Sequence, residues 1–119
     1  MRIGFASAAA ARTFSEFELM TRAFGAEVAY KLANRLALLS AANNLALVPT
    51  SPPIALRPLN GEAAGFTVAV SAKLRLVFTA LDGGPVRAPT LAKITAIEIK
   101  GIEQGTATQP RTPRTARIG

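Results

Sequence analysis

Three short runs decide the fold of this chain: LRPLNG at residues 56–61, GFTVAV at 65–70 and KLRLVF at 73–78. They predict three strands, over about residues 54–59, 65–71 and 73–80. A tight turn at Ser71-Ala72 would join the last two strands into a hairpin. Because side chains alternate across a strand, Arg75 lies on the face opposite Leu74, Leu76 and Phe78. An arginine in mid-strand needs a reason: either its stem reaches past apolar neighbours to water, or its guanidinium binds a phosphate or carboxylate.

The first part of the chain has a helical pattern. Thr13 and Glu16 fit a capping box, in which Thr13 begins a helix and Glu16 bonds back to it. A glycine then interrupts, and a second helix is predicted over about residues 26–42, with Lys31 and Arg35 on one flank. Apolar residues recur at helical spacing in both helices: Phe17, Met20 and Phe24, then Val28, Leu32, Leu36 and Leu39. Two helices that meet at a glycine predict an αα-hairpin.

The remaining elements complete one predicted domain over residues 1–104. We expect a strand before the first helix, an extended connection over 45–53, a loop over 82–89 and a last strand over 93–102. The layout β-α-α-β-β-β-β predicts an α+β fold, with two N-terminal helices packed on one face of a small twisted, mainly antiparallel sheet. Residues 105–119 contain prolines and arginines but no acid, which predicts a flexible basic tail.

The composition excludes several kinds of site. Apolar residues make up 50% of the chain, as in a globular protein, and no apolar run is long enough to cross a membrane. Because the sequence has neither Cys nor His, disulfides, thiolate metal sites and His-dependent catalysis are excluded, and we expect no metal and no cofactor. The formal charge of +7 favours a polyanionic partner. The first residues fit a strand leading into a helix better than a secretion signal, which predicts a cytoplasmic protein.

Several sequence blocks occur in an order that resembles a known family. They are FGA at 24–26, LALL at 36–39, AANNL at 41–45, LNG at 59–61, FTV at 66–68, LRLVF at 74–78, KITAI at 93–97 and GIE at 101–103. Together they resemble the HigB-like branch of the RelE/ParE toxin superfamily, whose members are also labelled plasmid maintenance system killer or killer suppression proteins. The resemblance covers roughly residues 1–103.

The resemblance implies a RelE/ParE-like fold and a toxin that cleaves mRNA in the ribosomal A site. Its implied partners are a helix-turn-helix (HigA-like) antitoxin encoded beside it, the ribosome and mRNA. Arg75 matches the family arginine near the scissile phosphate, where the fork of a guanidinium suits phosphate binding and the charge that develops during transesterification. The structural alternative is that the Arg75 stem packs on the sheet and its head pairs with Glu98 or Glu103.

The chain departs from the family where relatives carry groups that transfer protons. Arg57 stands in place of a His, Asn60 in place of a Lys and Leu74 in place of an aromatic residue. The match ends in GIEQGT at residues 101–106, whereas relatives end in Gly-Ile-Glu-Asp-Tyr-His. Neither Gln nor Thr can act as a general base near neutral pH.

The chain keeps arginines and lysines, which suit a cleavage mechanism that stabilises the negative charge on the phosphate. We expect Arg75 and Arg57 to be catalytic, and four residues to bind RNA phosphates: Lys73, Lys100, Arg57 and Arg75. Because the loss of one general acid or base typically costs about 10²–10⁴-fold, cleavage should be slow. Two other functions stay open: a catalytically inactive toxin fold that grips antitoxin or ribosome, and a ParE-like inhibitor of DNA gyrase, which needs no catalytic side chains.

Overall fold

A computed structural model describes residues 1–59, 64–84 and 90–104 of the chain. Its strands are β1 (Arg2–Phe5), β2 (Arg57–Pro58), β3 (Gly65–Ala69), β4 (Leu74–Ala80) and β5 (Ala96–Gln104). Its helices are α1 (Ala8–Ser15), α2 (Phe17–Phe24) and α3 (Ala26–Ala41), with short 3₁₀ turns at Leu45–Leu47 and Leu91–Lys93. The described part of the chain is therefore α+β, as the sequence predicts. The tail predicted over 105–119, Asn60 and most of the proline loop lie outside the described residues.

The strands form one sheet in the order β1-β5-β4-β3-β2. The pairs β2–β3, β3–β4 and β4–β5 are antiparallel, whereas β1 runs parallel to β5. The sheet is therefore mixed, with its parallel pair at one edge. Strands paired in parallel cannot be joined by a tight turn, and here most of the chain separates β1 from β5.

The helical region contains three helices in the described residues, so the prediction of two is wrong. The additional helix α1 begins at Ser7, whose side chain accepts a hydrogen bond from the Ala10 backbone N–H at 3.0 Å. Thr13 lies inside α1, and Glu16, at the start of α2, makes no capping hydrogen bond with its side chain. A serine cap in front of an alanine run is a strong local signal for a helix, and it overrides the later capping box.

Two predicted extended segments are shorter than expected. The strand predicted over 54–59 is reduced to Arg57–Pro58, because Ala55 adopts a left-handed backbone conformation (φ 49°) that turns the chain before β2. The connection over 45–53 starts with a 3₁₀ turn, for which the Asn44 side chain accepts a hydrogen bond from the Ala46 N–H at 3.0 Å. The loop of the β3–β4 hairpin is also longer than predicted, since Ala69 and Arg75 are the last paired residues.

The last strand begins at Ala96 rather than at residue 93. Lys93 ends a 3₁₀ turn, and Asp82 accepts hydrogen bonds from the Thr95 N–H (2.8 Å) and hydroxyl (2.5 Å). Asp82 also accepts a longer bond from the Ala96 N–H at 3.3 Å. These bonds take the backbone donors that would otherwise pair with a neighbouring strand.

The core lies between the helices and one face of the sheet. Leu32 and Leu39 of α3 are fully buried in one cluster with the following sheet residues: Val68, Leu76, Phe78, Ile97 and Ile99. Phe66 and Phe78 belong to the same buried cluster, and their rings lie 6.1 Å apart. Among the described residues, no helix is long and apolar enough to cross a membrane.

Candidate functional site

The sheet face opposite the helices carries a row of polar side chains. Phe66, Val68, Leu76 and Phe78 point into the core, so the residues between them point the other way. On that outward face, Arg57 of β2 pairs with Thr67 of β3, and Arg75 of β4 pairs with Glu103 of β5. The register therefore gathers Arg57, Thr67, Arg75 and Glu103 across four neighbouring strands.

The Arg75 guanidinium is hydrogen-bonded along one of its edges. Its Nε donates to the Thr67 hydroxyl at 2.7 Å, and its Nη2 donates to the Ala55 carbonyl and, at 3.5 Å, to the Thr67 carbonyl. Nη1 donates to no group in the described part of the chain. The Nε–Nη2 edge thus holds the turn before β2 against β3, while the Nη1 donors remain for another acceptor.

One cation and one carboxylate act on the charge of Arg75. Burial lowers the pKa of Arg75, the Arg57 cation lowers it further, and Glu103 opposes both by raising it. Arg75 still carries its charge near neutral pH, because a guanidinium loses its proton only in strong alkali. Arg57 is near enough to affect the pKa of Arg75, and two neighbouring cations attract an anion more strongly than either would alone. Of the two acidic partners suggested by the structural alternative, Glu103 lies opposite Arg75, yet the hydrogen bonds go to Thr67 and Ala55.

The two predicted lysines lie elsewhere. Lys73 is exposed in the β3–β4 loop and lines a groove of about 510 Å³ together with Glu27 and Lys31 of α3. Lys100 is the extra residue of a bulge in β5, and its Nζ lies 3.9 Å from Oε1 of Glu98. The structure thus brings Arg57 and Arg75 together. Lys73 instead lines a groove with residues of α3, and Lys100 lines another with residues of α1 and α2.

Arg35 is a residue whose importance the sequence analysis missed. It was expected on a flank of the helix, but it is only 8% exposed. Its Nε donates to the Ala69 carbonyl (2.7 Å), its Nη1 to the Asn34 side chain (2.7 Å) and its Nη2 to the Pro53 carbonyl (3.4 Å). The signal was present, since residue 35 follows Leu32 by three positions and precedes Leu39 by four, which places it on the buried face.

Arg35 and Arg75 hold the same segment from two sides. Arg35 reaches the Pro53 carbonyl from the helix layer, and Arg75 reaches the Ala55 carbonyl from the outward face of the sheet. Between them, the Ala69 N–H donates to the Ile54 carbonyl at 2.7 Å. This two-arginine clamp gives hydrogen-bond donors to the Pro53 and Ala55 carbonyls, in a segment that is too irregular to pair as a strand.

Comparisons with family models, with curated proteins and with solved structures find no match to this chain. Within the described residues there is also no group of three or more acidic, His or Cys side chains that could hold a metal ion. The charged groups that the register gathers on the outward face are the cations Arg57 and Arg75 and the carboxylate of Glu103.

Proposed function

We propose that this chain is the toxin of a type II toxin–antitoxin system and acts in the cytoplasm as a ribosome-dependent mRNA endoribonuclease. One observation carries the proposal: Arg75 lies beside Arg57 on the outward face, and its Nη1 donates to no group of the described residues. By the sequence resemblance, Arg75 stands at the position of the family arginine that lies near the scissile phosphate. The order of the sequence blocks, which resembles the RelE/ParE superfamily, supports the same function.

The proposed reaction is an RNA transesterification. The ribose 2′-oxygen attacks the adjacent phosphorus and the bond from phosphorus to the 5′-oxygen breaks, which leaves a 2′,3′-cyclic phosphate and a 5′-hydroxyl. Nη1 of Arg75 and the guanidinium of Arg57 stabilise the negative charge that builds on the phosphate oxygens. Solvent takes the 2′-proton and supplies the proton to the leaving oxygen, so the rate lacks the factor of about 10²–10⁴ that a positioned acid or base contributes.

A helix-turn-helix (HigA-like) antitoxin is the proposed partner. A basic toxin with a formal charge of +7 attracts acidic segments over long range, which raises the rate of association. An acidic or apolar antitoxin segment that covers the outward face would compete with RNA phosphate for the donors of Arg57 and Arg75.

A second candidate is a toxin fold that binds its partners without cleaving RNA. The observation that favours it is the engagement of Nε and Nη2 of Arg75 by Thr67 and Ala55, which occupies the edge best suited to a bidentate phosphate contact. The absence of His from the sequence favours it further.

Induced expression in bacteria, without the antitoxin gene, separates these functions. The toxin proposal expects growth arrest together with cuts in translated mRNA, mapped by primer extension. The Arg57→Ala variant should relieve the arrest at unchanged protein level, and Arg22→Ala, at an exposed site of α2, should not. Unimpaired growth together with co-purification of a small helix-turn-helix protein would instead support the binding module. Arrest with intact mRNA and induced DNA-damage signalling would support gyrase inhibition.

A further inference from the structure

A second cationic site lies on the helix side of β3, separate from the outward face that carries Arg57 and Arg75. It is a cleft of about 320 Å³ between α3 and the β3–β4 loop. Its walls are formed by the following residues: Lys31, Arg35, Pro53, Ala69, Val70, Ser71 and Ala72. Two of these residues are cations and none is acidic.

Arg35 is a buried cation in this cleft, and the described residues provide no acidic partner for its charge. No carboxylate of the described residues forms an ion pair with it, and the acceptors of its hydrogen bonds are two carbonyls and the Asn34 amide oxygen. A guanidinium has five N–H donors, so two of them are not used by these three bonds. Burial lowers the pKa of Arg35, as expected where a charge is taken from water without a counter-charge.

The surroundings of the cleft add to its positive charge. The neighbouring groove of about 510 Å³ shares Lys31, Ser71 and Ala72 with it, and adds Lys73 together with one carboxylate, Glu27. Glu27 precedes Lys31 by one helical turn, but the two form no ion pair in the described structure. Three cations therefore face a single acid around the loop, which leaves a local excess of positive charge.

We propose that this cleft binds a phosphate group, with Arg35 as its buried cation and Lys31 as the cation at its rim. A buried charge without a counter-charge is costly, and an oxyanion would supply that charge while accepting the unused N–H donors. A phosphate suits the site because it has several acceptor oxygens and up to two negative charges. These can bind both the planar guanidinium of Arg35 and the flexible ammonium of Lys31. The site does not depend on the function proposed above, since neither Arg57 nor Arg75 contributes to it.

The test is a titration of the ¹⁵N-labelled protein with inorganic phosphate, at an ionic strength held constant with chloride. The expected result is a saturable shift of the Arg35 Nε–H signal and of the Ser71 and Ala72 amides. Lys31→Gln should weaken the binding about tenfold, because a hydrogen bond between charged groups is lost. Lys93→Gln is the control, since Lys93 is an exposed lysine that lies outside the cleft.

A parallel titration with a nucleoside monophosphate identifies the source of the phosphate. Tighter binding than that of inorganic phosphate would assign the cleft to nucleotides, and equal binding would assign it to free phosphate. The proposal is overturned if chloride alone produces the same shifts, or if Lys31→Gln and Lys93→Gln bind phosphate equally well. Because Lys31 contributes to no hydrogen bond of the fold in the described structure, its variant should remain folded, which a one-dimensional proton spectrum verifies.

Discussion

The Arg75→Met substitution measures how strongly the guanidinium stabilises the fold. Methionine keeps much of the stem, but it removes the donors to the Thr67 hydroxyl and to the Ala55 carbonyl. Both acceptors belong to buried residues, with Thr67 4% and Ala55 6% exposed. An unsatisfied buried acceptor costs about 1–3 kcal/mol, so two of them give a loss of about 2–6 kcal/mol in the free energy of unfolding. Water can enter at the half-buried guanidinium, so we expect a loss of about 3 kcal/mol.

The Thr67→Val substitution isolates one of these two interactions. Valine has nearly the same shape but lacks the hydroxyl that accepts from Nε of Arg75. Loss of a hydrogen bond to a charged group should lower the free energy of unfolding by about 1.5–3 kcal/mol. Burial of the added methyl group should raise it by about 0.8 kcal/mol. The double variant Arg75→Met/Thr67→Val should then lose less free energy of unfolding than the two single variants lose together, with a coupling energy of about 1–2 kcal/mol.

Urea unfolding of the wild type, both single variants and the double variant gives all of these quantities. Arg22→Met, at an exposed position of α2, is the control and should change stability by less than about 0.5 kcal/mol. If Arg75→Met is no more destabilising than this control, and the coupling energy is near zero, the guanidinium does not hold the turn before β2. The geometric argument for the clamp would then be wrong.

Three further predictions concern other parts of the structure. Ser7→Ala removes the cap of α1 and should lower stability by about 1 kcal/mol in urea unfolding, whereas Ser40→Ala, at an exposed position of α3, should not. The hydroxyl and N–H of Thr95 lower the pKa of Asp82 below its ordinary value of 3.8. The ionised Asp82 carboxylate therefore stabilises the fold above that pH, and this stabilisation is lost as the pH falls through the lowered pKa. Asp82→Asn should flatten the acid limb of a curve of unfolding free energy against pH. Glu103→Gln removes the negative charge opposite Arg75, and it should strengthen the binding of a labelled RNA oligonucleotide several-fold in fluorescence anisotropy at low salt, an effect that added salt should reduce.

The strands around Arg75 could be predicted because their pattern is local. Apolar and polar residues alternate with a period of two through β3 and β4, and burial on one face follows directly from that period. Leu76 and Phe78 are fully buried, as the alternation predicts, while Arg75 lies on the opposite face. The identity of the hydrogen-bond acceptors was not predictable, because Ala55 is brought to Arg75 by the turn of the chain before β2.

The wrong predictions of the helical region arose where two local sequence signals pointed to different structures. The capping box at Thr13 matches a helix start, but the cap at Ser7 begins a helix six residues earlier, on a run of alanines without an apolar stripe. Arg35 was expected on a flank of the helix, although its spacing from Leu32 and Leu39 predicts a position on the buried face, where the structure has it.

The contacts of Arg75 also limit how it could meet a phosphate. A guanidinium binds phosphate best through two parallel N–H bonds, and the Nε–Nη2 edge that would make them is already engaged by Thr67 and Ala55. A phosphate at this face would therefore meet the Nη1 donors, on a guanidinium whose direction the clamp has fixed. A fixed direction costs no reorganisation when charge develops, which is the condition for electrostatic catalysis. The same hydrogen bonds that make Arg75 a structural residue thus also determine the direction from which a phosphate would reach it.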